Sequence, residues 1–171
     1  MFTRYSVFSS AMAVMLFCSY ALAKGPWPYK CPLPRHPDYK MSLGAHPDER
    51  YVVDNKNGTV KDLCTKLIWE QSPSTISMNW EAAKSYCAES RTGKFADWRL
   101  PNLDDLKSIV DNTARNPAIN GHAFPKTPLI FFWSSSPRAD VIYSAWRVAF
   151  GSNGYVSYAP ATERSRVRCV R

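Results

Sequence analysis

Apolar and polar residues alternate along this chain in short runs, interrupted twice by helical spacing. Tyr51-Val52-Val53, Thr59-Val60-Lys61 and Leu67-Ile68-Trp69 are β-branched or aromatic triplets bounded by polar turns, and Asn57-Gly58 is a tight-turn signal, so all three read as strands. From Trp80 to Arg91 the period changes: Trp80, Ala83, Cys87 and Ala88 recur at helical spacing, Asn79 supplies a cap and Gly93 an end. A second helix follows Leu100-Pro101. Asn102 caps it, Asp104 and Asp105 fall in its positive first turn, and Leu103, Leu106, Ile109 and Val110 form its apolar stripe. Helix-start electrostatics accounts for the two carboxylates, so they are not read as a metal pair. Residues 112–128 are loop-rich. Alternation then returns at Phe131–Ser136, at Ala145–Phe150, where Trp146, Val148 and Phe150 oppose Arg147, and at Tyr155–Tyr158 after an Asn153-Gly154 turn. Arg164–Val170 reads as a closing strand with Arg164, Arg166 and Arg168 on one face and Ser165, Val167 and Cys169 on the other. Two helices in the first half and an antiparallel meander in the second predict an α+β domain.

The chain before Tyr51 has a different character. An apolar run, Ala11–Phe17, precedes Ala21-Leu22-Ala23, the small-x-small pattern of an export signal cleaved after Ala23. The run is too short to span a bilayer, and Phe17 before Cys18 is too large for a lipoprotein site. Gly25 to Pro47 holds Pro26, Pro28, Pro32, Pro34, Pro37 and Pro47, which forbid a helix or a central strand. The expected organisation is a signal peptide over 1–23, an extended proline-rich arm over 24–50 pinned by Cys31, and one domain over 51–171. The expected location is periplasmic or secreted.

Charge and cysteine narrow the chemistry. Lys plus Arg number 22 against 14 Asp plus Glu, a net charge of +8; loss of the leader removes only Arg4. A basic exported protein meets anionic partners, here an anionic polysaccharide or an acidic protein. Cys31, Cys64, Cys87 and Cys169 follow the leader, an even set that implies two disulfides with three possible pairings. No two of them have metal-ligand spacing, and His36, His46 and His122 are scattered in loops, so neither a metal nor a cofactor is expected.

Several motifs in fixed order carry a resemblance: Gly58-Thr-Val-Lys-Asp62, Leu67-Ile-Trp69, Trp80-Glu-Ala-Ala-Lys-Ser-Tyr-Cys87, Asp97-Trp-Arg-Leu-Pro101, Phe132-Trp-Ser-Ser135, Ala145-Trp146 and Val167-Arg-Cys-Val-Arg171. Over roughly 51–171 the chain resembles the C-terminal domain of the Legionella collagen-like adhesin, a family similar to the C-type-lectin-like superfamily. That resemblance implies a C-type-lectin-like α+β fold and a disulfide from the first helix to the last strand, Cys87 to Cys169. Cys31 to Cys64 is then left by subtraction. It also implies that Arg168 and Asp97, as motif residues, are structural: a buried Arg–Asp pair, or a guanidinium stacked on Trp98. The triplets by which calcium-dependent lectins hold their ion (Glu-Pro-Asn, Gln-Pro-Asp, Trp-Asn-Asp) do not occur.

The functional expectation is a non-enzymatic, adhesin-like module that recognises anionic, glycosaminoglycan-like glycans. Arg164 and Arg166, two apart on a strand and so about 7 Å apart, have the spacing to grip successive sulfates or carboxylates. Arg147 adds charge, and Tyr155, Tyr158 and Trp146 offer faces to sugar rings. The alternative is a periplasmic protein-binding factor, such as an inhibitor, an immunity protein or a small subunit of a surface assembly. Nucleic acid is not an expected partner. No Ser-His-Asp arrangement is evident around Ser134–Ser136 or His122, and the cysteines are assigned to bridges, so no catalysis is expected.

Overall fold

The computed structural model describes residues 50–171; the expected leader and arm, with Cys31, lie outside the described residues. β1 (Tyr51–Asp54), β2 (Thr59–Asp62) and β3 (Ile68–Glu70) form one antiparallel sheet in chain order. The helices α1 (Trp80–Glu89) and α2 (Leu103–Ser108) come next. β4 (Phe131–Pro137), β5 (Ser144–Ala149) and β6 (Tyr155–Pro160) then form a second antiparallel sheet, also in chain order. The architecture is α+β as expected, with its strands divided between two small sheets.

Capping chemistry sets both helices. The Asn79 side-chain oxygen accepts from the Ala82 amide at 2.9 Å, and Ala83 and Cys87 bury one face of α1. This helix stops at Glu89, short of the expected Arg91, because Ser90 turns extended with ψ 144°. Gly93 therefore lies beyond the helix, in a tight 3-10 turn over Thr92–Lys94, where its φ of 62° suits a residue without a side chain. In α2 the Asn102 oxygen accepts from the Asp105 amide at 2.7 Å while the Asp105 carboxylate accepts from the Asn102 amide at 2.9 Å, a reciprocal capping box. α2 ends at Ser108, so Ile109 packs into the core from the turn after it.

The second sheet separates two apolar clusters, as its period of two requires. Phe132, Val148 and Val156 share a register and face Val60, Trp69, Leu106, Phe124 and Val170. Trp133, Ala145 and Ala159 face the other way, toward Ala83, Cys87, Trp98, Leu100, Val167 and Cys169. The irregular segment 112–128 lies largely in the first cluster: Ala118, Ile119, Ala123 and Phe124 are buried. Its backbone groups stay paired through bonds such as Ala118 N–H to the Phe150 carbonyl at 2.7 Å and Ala123 N–H to the Asn120 side chain at 2.8 Å.

Residues 164–170, expected as a strand, are extended but join no sheet as a regular member. They thread between the two sheets, with bridges from Ser165 to Met78, Arg166 to Phe132, and Val170 to both Trp69 and Arg99. Segment 70–78 runs antiparallel beside them, through Glu70 N–H to the Cys169 carbonyl at 3.0 Å, Ser74 N–H to Val167 at 2.8 Å and Met78 N–H to Ser165 at 2.9 Å. Cys87 of α1 is disulfide-bonded to Cys169, and both are fully buried. Cys64 is also disulfide-bonded; Cys31, its expected partner, lies outside the described residues.

Candidate functional site

The basic face of the closing segment is directed at the neighbouring segment 70–78, buried at its Arg168 end and exposed at Arg164. Arg164, Arg166 and Arg168 all reach the neighbouring segment 70–78 and donate to its carbonyl oxygens. Arg164 donates twice to the Ser77 carbonyl, at 2.6 and 3.1 Å. Arg166 donates to the Ser74 carbonyl at 2.7 Å. Arg168 donates to the carbonyls of Glu70, at 2.9 Å, and Gln71, and to the Thr127 hydroxyl at 2.7 Å. Burial rises along this ladder, from exposed Arg164 through half-buried Arg166 to fully buried Arg168.

Arg168 is structural, as its motif implies, but its partners differ from both expected arrangements. Its guanidinium lies 4.9 Å from the Phe124 ring centroid, not on Trp98. Asp97 instead makes a bidentate pair with Arg171 at 2.6 and 3.0 Å. Loss of hydration lowers Arg168 to about 9, opposed by the charge of Glu70, and it stays cationic at neutral pH. Glu70 is itself buried and accepts from the Ser90 and Thr92 hydroxyls at 2.6 and 2.7 Å.

Arg147 is a different kind of arginine. It sits mid-strand on β5, opposite Trp133 of β4 and Ser157 of β6. Its guanidinium carbon lies 4.1 Å from the Phe131 centroid, and its hydrogen bond to the Ser165 hydroxyl is a long 3.5 Å. It forms no ion pair among the described residues. Its Nε is buried and unbonded there, as are those of Arg166 and Arg168, so the difference lies in its terminal nitrogens. Partial loss of hydration lowers its affinity for the proton, against a smaller opposing effect from Glu163. Tyr155, 59% exposed, packs edge-on against Phe131 with centroids 6.5 Å apart. Leu129 and Ile130, also exposed, continue this apolar rim.

Tyr158 belongs elsewhere. It pairs with Trp146 across β5–β6 with ring centroids 5.9 Å apart, on the face opposite Arg147 and Tyr155. Arg138 lies 3.6 Å from the Tyr158 centroid and is held by Asp140 at 2.6 and 2.7 Å. That carboxylate raises the guanidinium and is itself lowered in return. The five residues expected to bind together thus fall into three places: Arg147 with Tyr155, Tyr158 with Trp146, and Arg164 with Arg166 against segment 70–78. Sequence reasoning passed over Phe131 and Arg138 as site residues. The signal for Phe131 was available, because it is one residue out of phase with the core-facing Phe132.

Comparison with known proteins gives a family. The family model described as the Lcl C-terminal domain matches residues 58–171, and the chain belongs to that family. No curated protein matches. Among solved structures, a chain of the complex between botrocetin and a mutant von Willebrand factor A1 domain aligns at 10% identity. The alignment covers 71% of this chain and 94% of that one, at a TM-score of 0.38, and carries no fold argument.

Proposed function

We propose that this member of the Lcl C-terminal domain family is an exported, non-enzymatic binding module for anionic glycans, built on a C-type-lectin-like scaffold and acting in an adhesin-like role. Family membership supports a binding, adhesin-like role, and the buried Cys87–Cys169 bridge fits a periplasmic or extracellular location. The observation that carries the glycan reading is Arg147: a half-buried guanidinium without a carboxylate partner among the described residues, stacked on Phe131 and flanked by exposed Tyr155. Such a cation is bound more strongly by an incoming anion than a solvated surface charge is, because its hydration is already partly lost. A sulfate or carboxylate on Arg147 brings the attached sugar ring over Tyr155. Arg164, whose guanidinium bonds only the Ser77 carbonyl among the described residues, extends the cationic surface. None of the helices among the described residues is long and apolar enough to cross a membrane.

Heparin affinity chromatography tests this reading. The protein is expected to elute only at high salt, with Arg147→Gln eluting markedly earlier while its unfolding midpoint is little changed. Elution of unsubstituted protein at low salt, or of Arg147→Gln at the same salt as its parent, overturns it.

One observation favours a protein partner as the second reading. Ile142 and Tyr143, at the β4–β5 hairpin tip, are 84% and 85% exposed, and an adjacent apolar pair suits a protein interface better than a glycan. Co-purification of a stoichiometric partner that Ile142→Ser/Tyr143→Ser releases is the corresponding test.

A further inference from the structure

A groove of about 380 Å³ lies between α1 and the segment before α2, remote in sequence from the Arg147 patch. Its apolar floor includes Trp98 and Leu100, both nearly fully buried. Its polar lining among the described residues is Lys84, Arg99, Asn102 and Ser135, with no carboxylate among them. The Lys84 ammonium is poised 3.4 Å from the Trp80 ring centroid and pairs with Glu81 at 2.9 Å. Among the described residues Arg99 commits only Nη1, to Asp105 at 2.8 Å and weakly to the Leu100 carbonyl at 3.5 Å, which leaves Nε and Nη2 to donate. Neither Glu81 nor Asp105 lines the groove. The Asn102 side-chain amide and the Ser135 hydroxyl make no hydrogen bond of their own as donors to the described residues, although the Asn102 oxygen is used by the helix cap.

The frame is rigid. Arg99 exchanges two backbone bonds with Val170, at 2.8 and 3.0 Å, and the Ser135 amide donates to the Pro101 carbonyl at 2.7 Å. Ser135 also lies where the β4–β5 register shifts between Trp133 and Pro137, and a bulge of this kind re-aims a side chain. Two cations, an amide and a hydroxyl around an apolar floor match a ligand with a carboxylate at one end, hydroxyl acceptors around it and a flat apolar face.

We propose that this groove is a second binding site, specific for a six-membered sugar acid of the uronate type. The choice of a sugar rests on the glycan reading above; the anion preference rests on the groove's own lining. The site is separate from Arg147, so its test distinguishes the two.

The experiment is a titration of the ¹⁵N-labelled mature protein, followed by amide chemical shifts, with glucuronate, with a disaccharide bearing a terminal glucuronate, and with glucose as a neutral control. Glucuronate is expected to move the amides of Arg99, Asn102 and Ser135 and the indole N–H of Trp98, and glucose at the same concentrations is not. The tighter of the two acids identifies whether a free acid or a chain end is preferred. Lys84→Gln/Arg99→Gln is expected to weaken the response about tenfold, as loss of charge-assisted hydrogen bonds predicts. Lys84→Gln alone, altering a half-buried side chain at the surface, keeps the test decisive if the double variant folds poorly. Arg147→Gln is expected to leave this titration unchanged even as it lowers heparin retention. An equal response to glucose, shifts confined to the Arg147 patch, or variants that titrate like their parent overturn the proposal.

Discussion

Arg168 and Arg147 are the same residue type in two kinds of surroundings, and the contrast separates a cation that the fold uses from one that we propose meets a ligand. Arg168 is fully buried and its terminal nitrogens are spent on two backbone carbonyls and a hydroxyl. Arg147 is half-buried, stacked on an aromatic ring, and bonded among the described residues by one long contact. The first replaces the water on both terminal nitrogens with fixed oxygen acceptors and leaves only Nε unbonded among the described residues; the second has lost water with one long contact in its place. Positive charge along a sequence therefore does not mark a binding surface. On the glycan reading, the mark is a guanidinium whose terminal donors the fold has left largely unused.

The contrast can be broken most severely at the inner end of the closing segment. Cys87 and Cys169 close a loop with a sequence separation of 82, for which chain entropy gives an upper estimate of about 4.5 kcal/mol. Cys87→Ala/Cys169→Ala is expected to approach that loss in urea denaturation followed by tryptophan fluorescence. A loss below about 1 kcal/mol refutes the view that this end is the lock of the domain.

Arg168→Ala comes next. It leaves the Glu70 and Gln71 carbonyls and the Thr127 hydroxyl without their donor, removes the cation facing buried Glu70, and opens a void beside Phe124. Together these are expected to cost about 3–4 kcal/mol. Further out on the ladder the cost falls: about 1–2 kcal/mol for Arg166→Ala, with one charge-assisted bond to Ser74, and under about 1 kcal/mol for exposed Arg164→Ala. A series without this gradient means that burial does not govern the ladder.

Much of this ladder was legible, and the part that was not is instructive. Alternation placed Arg164, Arg166 and Arg168 on one side of the chain, and they are on one side. What lies opposite that side depends on segment 70–78, about ninety residues earlier, and no local pattern reports such a neighbour. The caps were readable for the opposite reason: Asn79 and Asn102 act on amides three residues away. Helix ends were less so, because Ser90 and Ile109 stop their helices through backbone angles that either residue could have avoided. Segment 112–128 has no periodicity, so its buried Ile119 and Phe124 were invisible as core. The pairing of Cys87 with Cys169 came from resemblance, and composition alone left three pairings open. Tyr155 and Tyr158 show the limit for a site: their separation by three residues on β6 puts them on opposite faces, yet both looked available while the strand's environment was unknown.

Arg147→Gln sharpens the contrast from its outer side. With no ion pair to lose among the described residues and only the long Ser165 contact, its stability change is expected to stay within about 1 kcal/mol, while heparin retention drops. Arg168→Lys supplies the complement. It keeps the charge but not the fork, so it is expected to lose stability, with heparin retention unchanged in the fraction that remains folded. If the two variants lose retention alike, the integrity of the fold and not the local environment of Arg147 governs binding.

The smallest expected effect concerns a surface pair that resembles the inner clamp in sequence but not in surroundings. Asp97 is 65% exposed at its side chain and binds Arg171, which also lies 3.8 Å from the Phe95 centroid. The Arg171 hydrogen bonds hold the Asp97 carboxyl below its ordinary value. A carboxyl lowered by folding stabilises the native state fully above its unfolded pKa, near 3.8, and that contribution is lost as pH falls through the lower folded value. The parent is therefore expected to unfold at a slightly higher temperature than Asp97→Asn at neutral pH, with the gap closing in strong acid. Other lowered carboxyls, Asp54 and Asp140, are common to both proteins and cancel in the difference. High salt should narrow the neutral-pH gap as well, since the pair is exposed to screening ions. A gap that persists in acid would show that Asp97 acts through packing against Arg171 and Phe95, placing this surface pair with Arg168 among the residues that hold the fold by shape.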